Sequence, residues 1–239
     1  MAVAIITGAS KGLGRALAAA LGRRGWDLVL DARTGRVLEE SADAVREEAR
    51  RAGVPGTRVV AVAGDVTDAG HRARLVAAAR DLGGLDLLVS NAGALGAEPL
   101  VRLDALPLDG LRTALETNVV AALGLVQEAL PLLRTSASGT VITVSSDAAS
   151  EAYGTWGGYG ASKAALDRLA AVLGVEEPGL RVWSVDPGDM GTDMYRAAVP
   201  DDDRPRPSPD AVVPGFLRLL DRRPVSGRWS APSLAEVEA

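Results

Sequence analysis

Seven short apolar runs, set apart by stretches of helical spacing, constrain this chain more than any other feature. They are residues 2–7 (AVAIIT), 27–31 (DLVLD), 58–63, 85–89, the run around Val141, Ile142 and Val144, 180–185 and 227–231. Most are apolar at successive positions, as strands buried on both faces must be. Between them, apolar residues recur at helical intervals. The first set is Leu13, Leu17, Ala20 and Leu21; another is Leu111, Leu115, Val119, Ala122, Val126 and Leu130; a third is Ala161, Ala165, Leu166, Leu169 and Leu173. Further helices are expected at 36–51, 69–82 and 211–220. Strands alternating with helices, without internal repeats, predict an α/β fold with a doubly wound parallel sheet of about seven strands and helices on both faces. A chain of 239 residues suits one such domain, 1–239.

Composition removes several function classes. A net charge of −5 and an acidic isoelectric point argue against nucleic acid or an anionic membrane as the main partner. With no cysteine, disulfides, thiolate catalysis and cysteine-ligated metals are excluded. The single histidine, His71, lies in an arginine-rich helix start and reads as a solvated residue, so no metal site or histidine-based triad is expected. No apolar run has transmembrane length, and the start MAVAIITGAS lacks a basic leader; a cytoplasmic location is the expectation.

Small and polar residues gather where the strands end, which is where open α/β sheets bind ligands. Strand one breaks into Gly8-Ala-Ser-Lys-Gly12-Leu-Gly14. In a strand–loop–helix context, Gly8 permits a tight turn, Gly12 lets backbone N–H groups approach phosphates, and Gly14 lets helix and strand pack closely. The spacing is G-x-x-x-G-x-G rather than G-x-G-x-x-G. Strand five ends at Ser145 and Ser146, and the helix beyond it carries Tyr159 and Lys163 at i and i+4. Their side chains share a face. An ammonium beside a phenol favours the phenolate and draws its pKa toward neutrality, which suits a proton shuttle.

These motifs, in this order, resemble the short-chain dehydrogenase/reductase family over essentially the whole chain. The resemblance rests on Thr7-Gly8-Ala-Ser-Lys-Gly12-Leu-Gly14, on Ser90-Asn91-Ala92-Gly93 (the family has Asn in the first place), and on Asn118. It rests also on Ser146 spaced 13 residues before Tyr159, on Lys163, and on Pro187-Gly188 with Thr192. It implies a Rossmann-type fold and a catalytic set of Asn118, Ser146, Tyr159 and Lys163. Tyr159 is then the acid in reduction and the base in oxidation, Lys163 lowers its pKa and meets the nicotinamide ribose, Ser146 polarises the carbonyl, and Asn118 holds a water. The cofactor-binding residues it implies are Gly8, Ser10, Lys11, Gly12, Leu13, Gly14, Arg33, Asp65, Val66, Asn91, Ala92 and Gly93, with Tyr159, Lys163, Pro187, Gly188 and Thr192.

The end of strand two reads Leu30-Asp31-Ala32-Arg33. The resemblance implies that the acid selecting NAD(H) would fall at Ala32, and strand alternation then turns Asp31 the other way. Arg33, helped by Lys11, suits a 2′-phosphate, so NADP(H) is expected over NAD(H). The substrate is expected to be an apolar or aromatic ketone or aldehyde, small-molecule in any case, in a pocket of Ser146, Tyr153, Trp156, Tyr159, Met190 and Met194; Leu95 and Tyr195 are further candidates. Residues 189–209 read as a substrate lid, with DDDRPRP its exposed, mobile part. Small apolar helix faces at 111–133 and 159–174 suggest a homodimer or homotetramer. Competing readings are an NAD-dependent alcohol dehydrogenase, a non-catalytic dinucleotide-binding regulator, which has no need of the catalytic set, and an epimerase or dehydratase, whose larger C-terminal region is missing here.

Overall fold

The computed structural model describes residues 1–235. Its elements run β1 (Val3–Ile6), α1 (Gly12–Arg23), β2 (Asp27–Ala32), α2 (Gly35–Arg51), β3 (Val59–Ala63), α3 (Ala69–Asp81) and β4 (Leu87–Ser90). There follow α4 (Leu108–Leu115), α5 (Ala121–Leu133), β5 (Thr140–Val144), α6 (Gly157–Glu176), β6 (Arg181–Asp186), α7 (Asp193–Ala198), α8 (Pro209–Arg222), β7 (Gly227–Ser230) and α9 (Ala231–Ala235). The seven strands form one parallel sheet in the order β3-β2-β1-β4-β5-β6-β7. The order reverses between β1 and β4, which opens a crevice at their carboxyl ends.

The uninterrupted apolar runs are explained by two cores, one on each face. Alternate residues of a strand point to opposite sides. Ala4 and Ile6 of β1 thus join Leu17, Leu21, Leu38 and Phe216 under α1, α2 and α8, whereas Val3 and Ile5 join Leu75, Leu125, Leu133 and Val141 under α3 and α5.

Three expectations are corrected. The single long helix expected over 111–133 starts earlier, at Leu108, and is interrupted by a π-helical turn at Glu116–Val120. Asn118 lies in that turn, a frequent feature of functional sites, with its side chain tied across to Ala94 in the loop after β4. His71 is not solvated: it is 0% exposed, with Nε2 2.6 Å from Asp31 Oδ1. It belongs to the buried stripe of α3 with Leu75, Val76 and Ala79, while Arg72 turns to Glu128 and the carbonyls of Val66 and Thr67. The segment DDDRPRP is only in part exposed. The Asp202 carboxylate accepts from Tyr195 Oη at 2.9 Å and Arg206 Nη2 at 2.7 Å, with side-chain exposures of 8% and 14% for Asp202 and Arg206.

The glycine loop packs without slack. A Cβ on Gly14 would overlap the carbonyl oxygen of Gly8. Gly14→Ala is therefore expected to force α1 away from β1 and cost roughly 1–3 kcal/mol; a denaturant midpoint equal to wild type would contradict this.

Candidate active site

The loop from Thr7 to Gly14 is held from behind by the end of β4. Thr7 Oγ1 accepts the backbone N–H groups of Asn91 and Ala92, each at 2.9 Å, and Asn91 Nδ2 donates to Thr7 O at 2.8 Å. Gly8 and Gly12 adopt φ of +65° and +53°, a region costly for side chains with a Cβ. At Lys11, which precedes α1, no side chain caps the first N–H groups of the helix. They remain available to an anion, and the helix dipole favours one there.

Two cavities open along the carboxyl edge of the sheet. One, of about 700 Å³, is lined by Ser10, Arg33, Asp65 and Val66 beyond β2 and β3. The other, of about 530 Å³, lies beyond β5 and β6 and is lined by Ser146, Trp156, Tyr159, Lys163, Met190 and Met194, among others. They meet at Gly8, Lys11, Ala92 and Gly93. Gly12, Leu13, Asn91, Pro187, Gly188 and Thr192 line the second cavity too, as do Leu95 and Tyr195. Gly14, Asn118 and Tyr153 line neither.

Tyr159 and Lys163 are presented by the first turns of α6, which packs so closely on the preceding loop that a Cβ on Gly160 would meet the Ala148 carbonyl at 2.5 Å. Lys163 is 3% exposed; its Nζ donates to Val144 O at 2.8 Å and lies 5.5 Å from the Tyr159 ring centroid. Trp156 meets the Tyr159 ring edge-on at 5.7 Å. Asn118 works from behind: it accepts from Ala94 N at 2.8 Å, donates to Ala94 O at 2.9 Å, and donates to Ser162 Oγ at 2.8 Å. It thereby couples the loop after β4 to α6.

The electrostatics differ from the expectation. Burial, then the carboxylates of Asp186 and Asp147, push the Tyr159 phenol above its ordinary pKa rather than below it. Burial lowers Lys163 to about 8, with Asp167 opposing. Desolvation thus outweighs the mutual benefit that the i, i+4 spacing implies.

Asp147 is the residue that sequence reasoning missed. It follows Ser146 and accepts from Ser146 Oγ at 3.0 Å and, through its other oxygen, from Tyr153 Oη at 2.9 Å. Tyr153, 48% exposed, thus supports Asp147 from outside instead of walling the cavity. The signal was present in adjacency alone: an acid next to the candidate serine cannot avoid its neighbourhood.

Chemically, the arrangement places a phenol, an ammonium and a serine hydroxyl around one end of a crevice whose other end offers backbone N–H groups and an arginine. The chain is similar to known proteins. The short chain dehydrogenase family matches residues 2–203. Sepiapterin reductase of Rattus norvegicus is 35% identical over 207 residues, covering 82% of this chain and 77% of that one. An uncharacterized oxidoreductase of Saccharomyces cerevisiae is 33% identical over 193 residues, or 80% and 72% of the two chains. Among solved structures, a short chain dehydrogenase of Shigella flexneri complexed with NADP superposes with a TM-score of 0.88 at 27% identity, covering 97% of both chains. An alcohol dehydrogenase of Thermococcus sibiricus complexed with 5-hydroxy-NADP gives 0.84 at 26%, covering 96% of this chain and 95% of that one. The chain belongs to the short-chain dehydrogenase family.

Proposed function

We propose that this protein is an NADP(H)-dependent oxidoreductase that interconverts a carbonyl and a secondary alcohol, acting mainly as a reductase of apolar or aromatic ketones or aldehydes. The observation that carries the reading is the convergence of Tyr159, Lys163 and Ser146 on a cavity continuous with the glycine loop. The residues fit a dinucleotide: the uncapped start of α1 and the open glycine backbone suit its pyrophosphate, and Arg33 at the mouth of the larger cavity suits a 2′-phosphate. The relatives solved with NADP and 5-hydroxy-NADP support this choice. When bound, the nicotinamide supplies or accepts the hydride.

The protein's own part is to hold the carbonyl and move a proton. The Tyr159 phenol, kept neutral by burial and two nearby carboxylates, is charged with the proton that a reduced carbonyl oxygen takes up. Ser146 Oγ donates to the same oxygen after exchanging its bond to Asp147. Lys163 stabilises the phenolate left behind, and Asn118 fixes the backbone against which α6 is set. Trp156, Met190 and Met194 give the cavity apolar walls that select the substrate. Residues 189–209 act as a lid over it, latched to the glycine loop by Lys11 and Asp193 at 3.0 Å.

The protein acts in the cytoplasm as a homodimer or homotetramer. Val120, Leu123, Val172 and Val175, exposed around α5 and α6, support self-association through these helices.

Consumption of NADPH and of NADH over a panel of aldehydes and ketones tests the reading. Turnover with NADPH is expected, and Tyr159→Phe should lower kcat by about a hundredfold or more; undiminished turnover in the variant would remove Tyr159 as the acid. Arg33→Ala should raise the KM for NADPH about tenfold while leaving that for NADH nearly unchanged. Equal effects on both would place the 2′-phosphate elsewhere.

Lys163 gives a pH signature in the ligand-free protein. Its folded pKa of about 8 lies below the ordinary 10.5, so the folded protein releases this proton first. Between those values the unfolded chain binds more protons, and stability rises with pH. Urea midpoints should show that rise in wild type relative to Lys163→Met; parallel pH profiles would show that Lys163 stays charged.

A further inference from the structure

A pair of titratable side chains with no part in the reaction lies enclosed beneath the glycine loop. Asp31 and His71 are 1% and 0% exposed, and His71 Nε2 stands 2.6 Å from Asp31 Oδ1. One turn along α3, Arg74 Nη2 lies 3.1 Å from His71 Nδ1. A guanidinium only donates, so Nδ1 is the acceptor and the Nε2–H is directed at Asp31. The Gly8 N–H favours the charged form of the Asp31 carboxylate, and the Asp31 carbonyl accepts the N–H of Ala9 at 2.8 Å. On its other side the His71 ring packs directly beneath Gly64, where a Cβ would collide with it. A hydrogen-bonded chain thus runs from an exposed arginine on α3, through His71, to the buried carboxylate of Asp31, the residue whose backbone carbonyl holds the glycine loop at Ala9.

Its position is what gives it meaning. Gly8, Asp31 and Gly64 belong to the wall of the 700 Å³ cavity, with Arg33 and Asp65 at its mouth. A buried carboxylate there opposes any anionic ligand, because low local polarity strengthens Coulomb repulsion. In the structure that carboxylate is turned toward α3 and engaged by donors on that side. The facing charges are Arg74 and Asp65 beside His71, with Arg33 beside Asp65.

We propose that His71 is a positioning residue for the dinucleotide, acting through Asp31. It holds the Asp31 carboxylate against α3 and keeps its charge engaged, so that the glycine loop and the turn at Gly64 accept the phosphate-bearing adenosine half. The inference rests on the NADP(H) reading above.

Titration calorimetry of the full chain with adenosine 2′,5′-bisphosphate tests it without turnover. His71→Ala should weaken binding about tenfold by leaving Asp31 buried and unpaired, and in turnover the loss should fall on the KM for NADPH rather than on kcat. Asp31→Asn introduced into the His71→Ala protein should recover most of the affinity, since the amide keeps the shape of the carboxylate and carries no charge. His71→Gln, which keeps a donor, should lose little. Unaltered binding in His71→Ala overturns the proposal, and so does a loss that Asp31→Asn fails to reverse, which would reduce His71 to packing. If His71→Ala does not fold, the surface variant Arg74→Ala serves: a few-fold weakening reversed by Asp31→Asn supports the proposal, and no change overturns it. Wild-type protein that binds NADH but no 2′,5′-bisphosphate overturns the NADP(H) reading itself, and is recognised before any variant is compared.

Discussion

Everything at the carboxyl edge of this sheet depends on how closely backbone approaches backbone. Gly14 lies where a single added carbon would strike the Gly8 carbonyl, and Gly8 lies where one would strike the Asn91 amide. That contact seats the first turn of α1 on the end of β1. Thr7 and Asn91 then lock the loop to β4, the neighbour across the point where strand order reverses. The crevice is thereby both narrow and polar-lined at its floor, and the uncapped helix start faces into it. Hydrophobic burial on both faces of the sheet supplies the stability; the small residues decide the shape.

Desolvation governs the chemistry at the other end. Tyr159 and Lys163 are both buried, so each is driven toward its neutral form. A neutral phenol is the form a reductase requires at rest, and a lysine lowered to about 8 can give up or regain its charge close to physiological pH. The carboxylates of Asp147 and Asp186 act in the same sense on Tyr159. Asp147 also accepts the hydroxyl of Ser146, and Tyr153 anchors it from the surface.

Much of this was legible in the residues. The glycine spacing, Ser146 with Tyr159 and Lys163, and the strand-end clusters were readable because each depends on local constraint: positive φ, close packing, or an i, i+4 face. The misreadings share a different origin. His71 reads as solvated because its sequence neighbours are arginines, but what a helix buries is decided by its period, and that period places His71 with Leu75. The spacing around Asn118 reads as an unbroken helix because nothing local signals a π-turn, and the partner of its side chain, Ala94, is distant in sequence. Tyr153 resembled a pocket wall because it lies near Trp156, yet its hydroxyl is claimed by Asp147.

The amino-acid sequence by itself determined the alternation of strand and helix, the parallel sheet and the family, since these follow from periodicity and from motifs whose residue types few other roles require. Only the tertiary structure decided the protonation balance of Tyr159 and Lys163, the enclosure of the Asp31–His71 pair, and the bonding of the segment around Asp202. Those outcomes turn on desolvation and on partners far apart along the chain, and neither can be read from spacing.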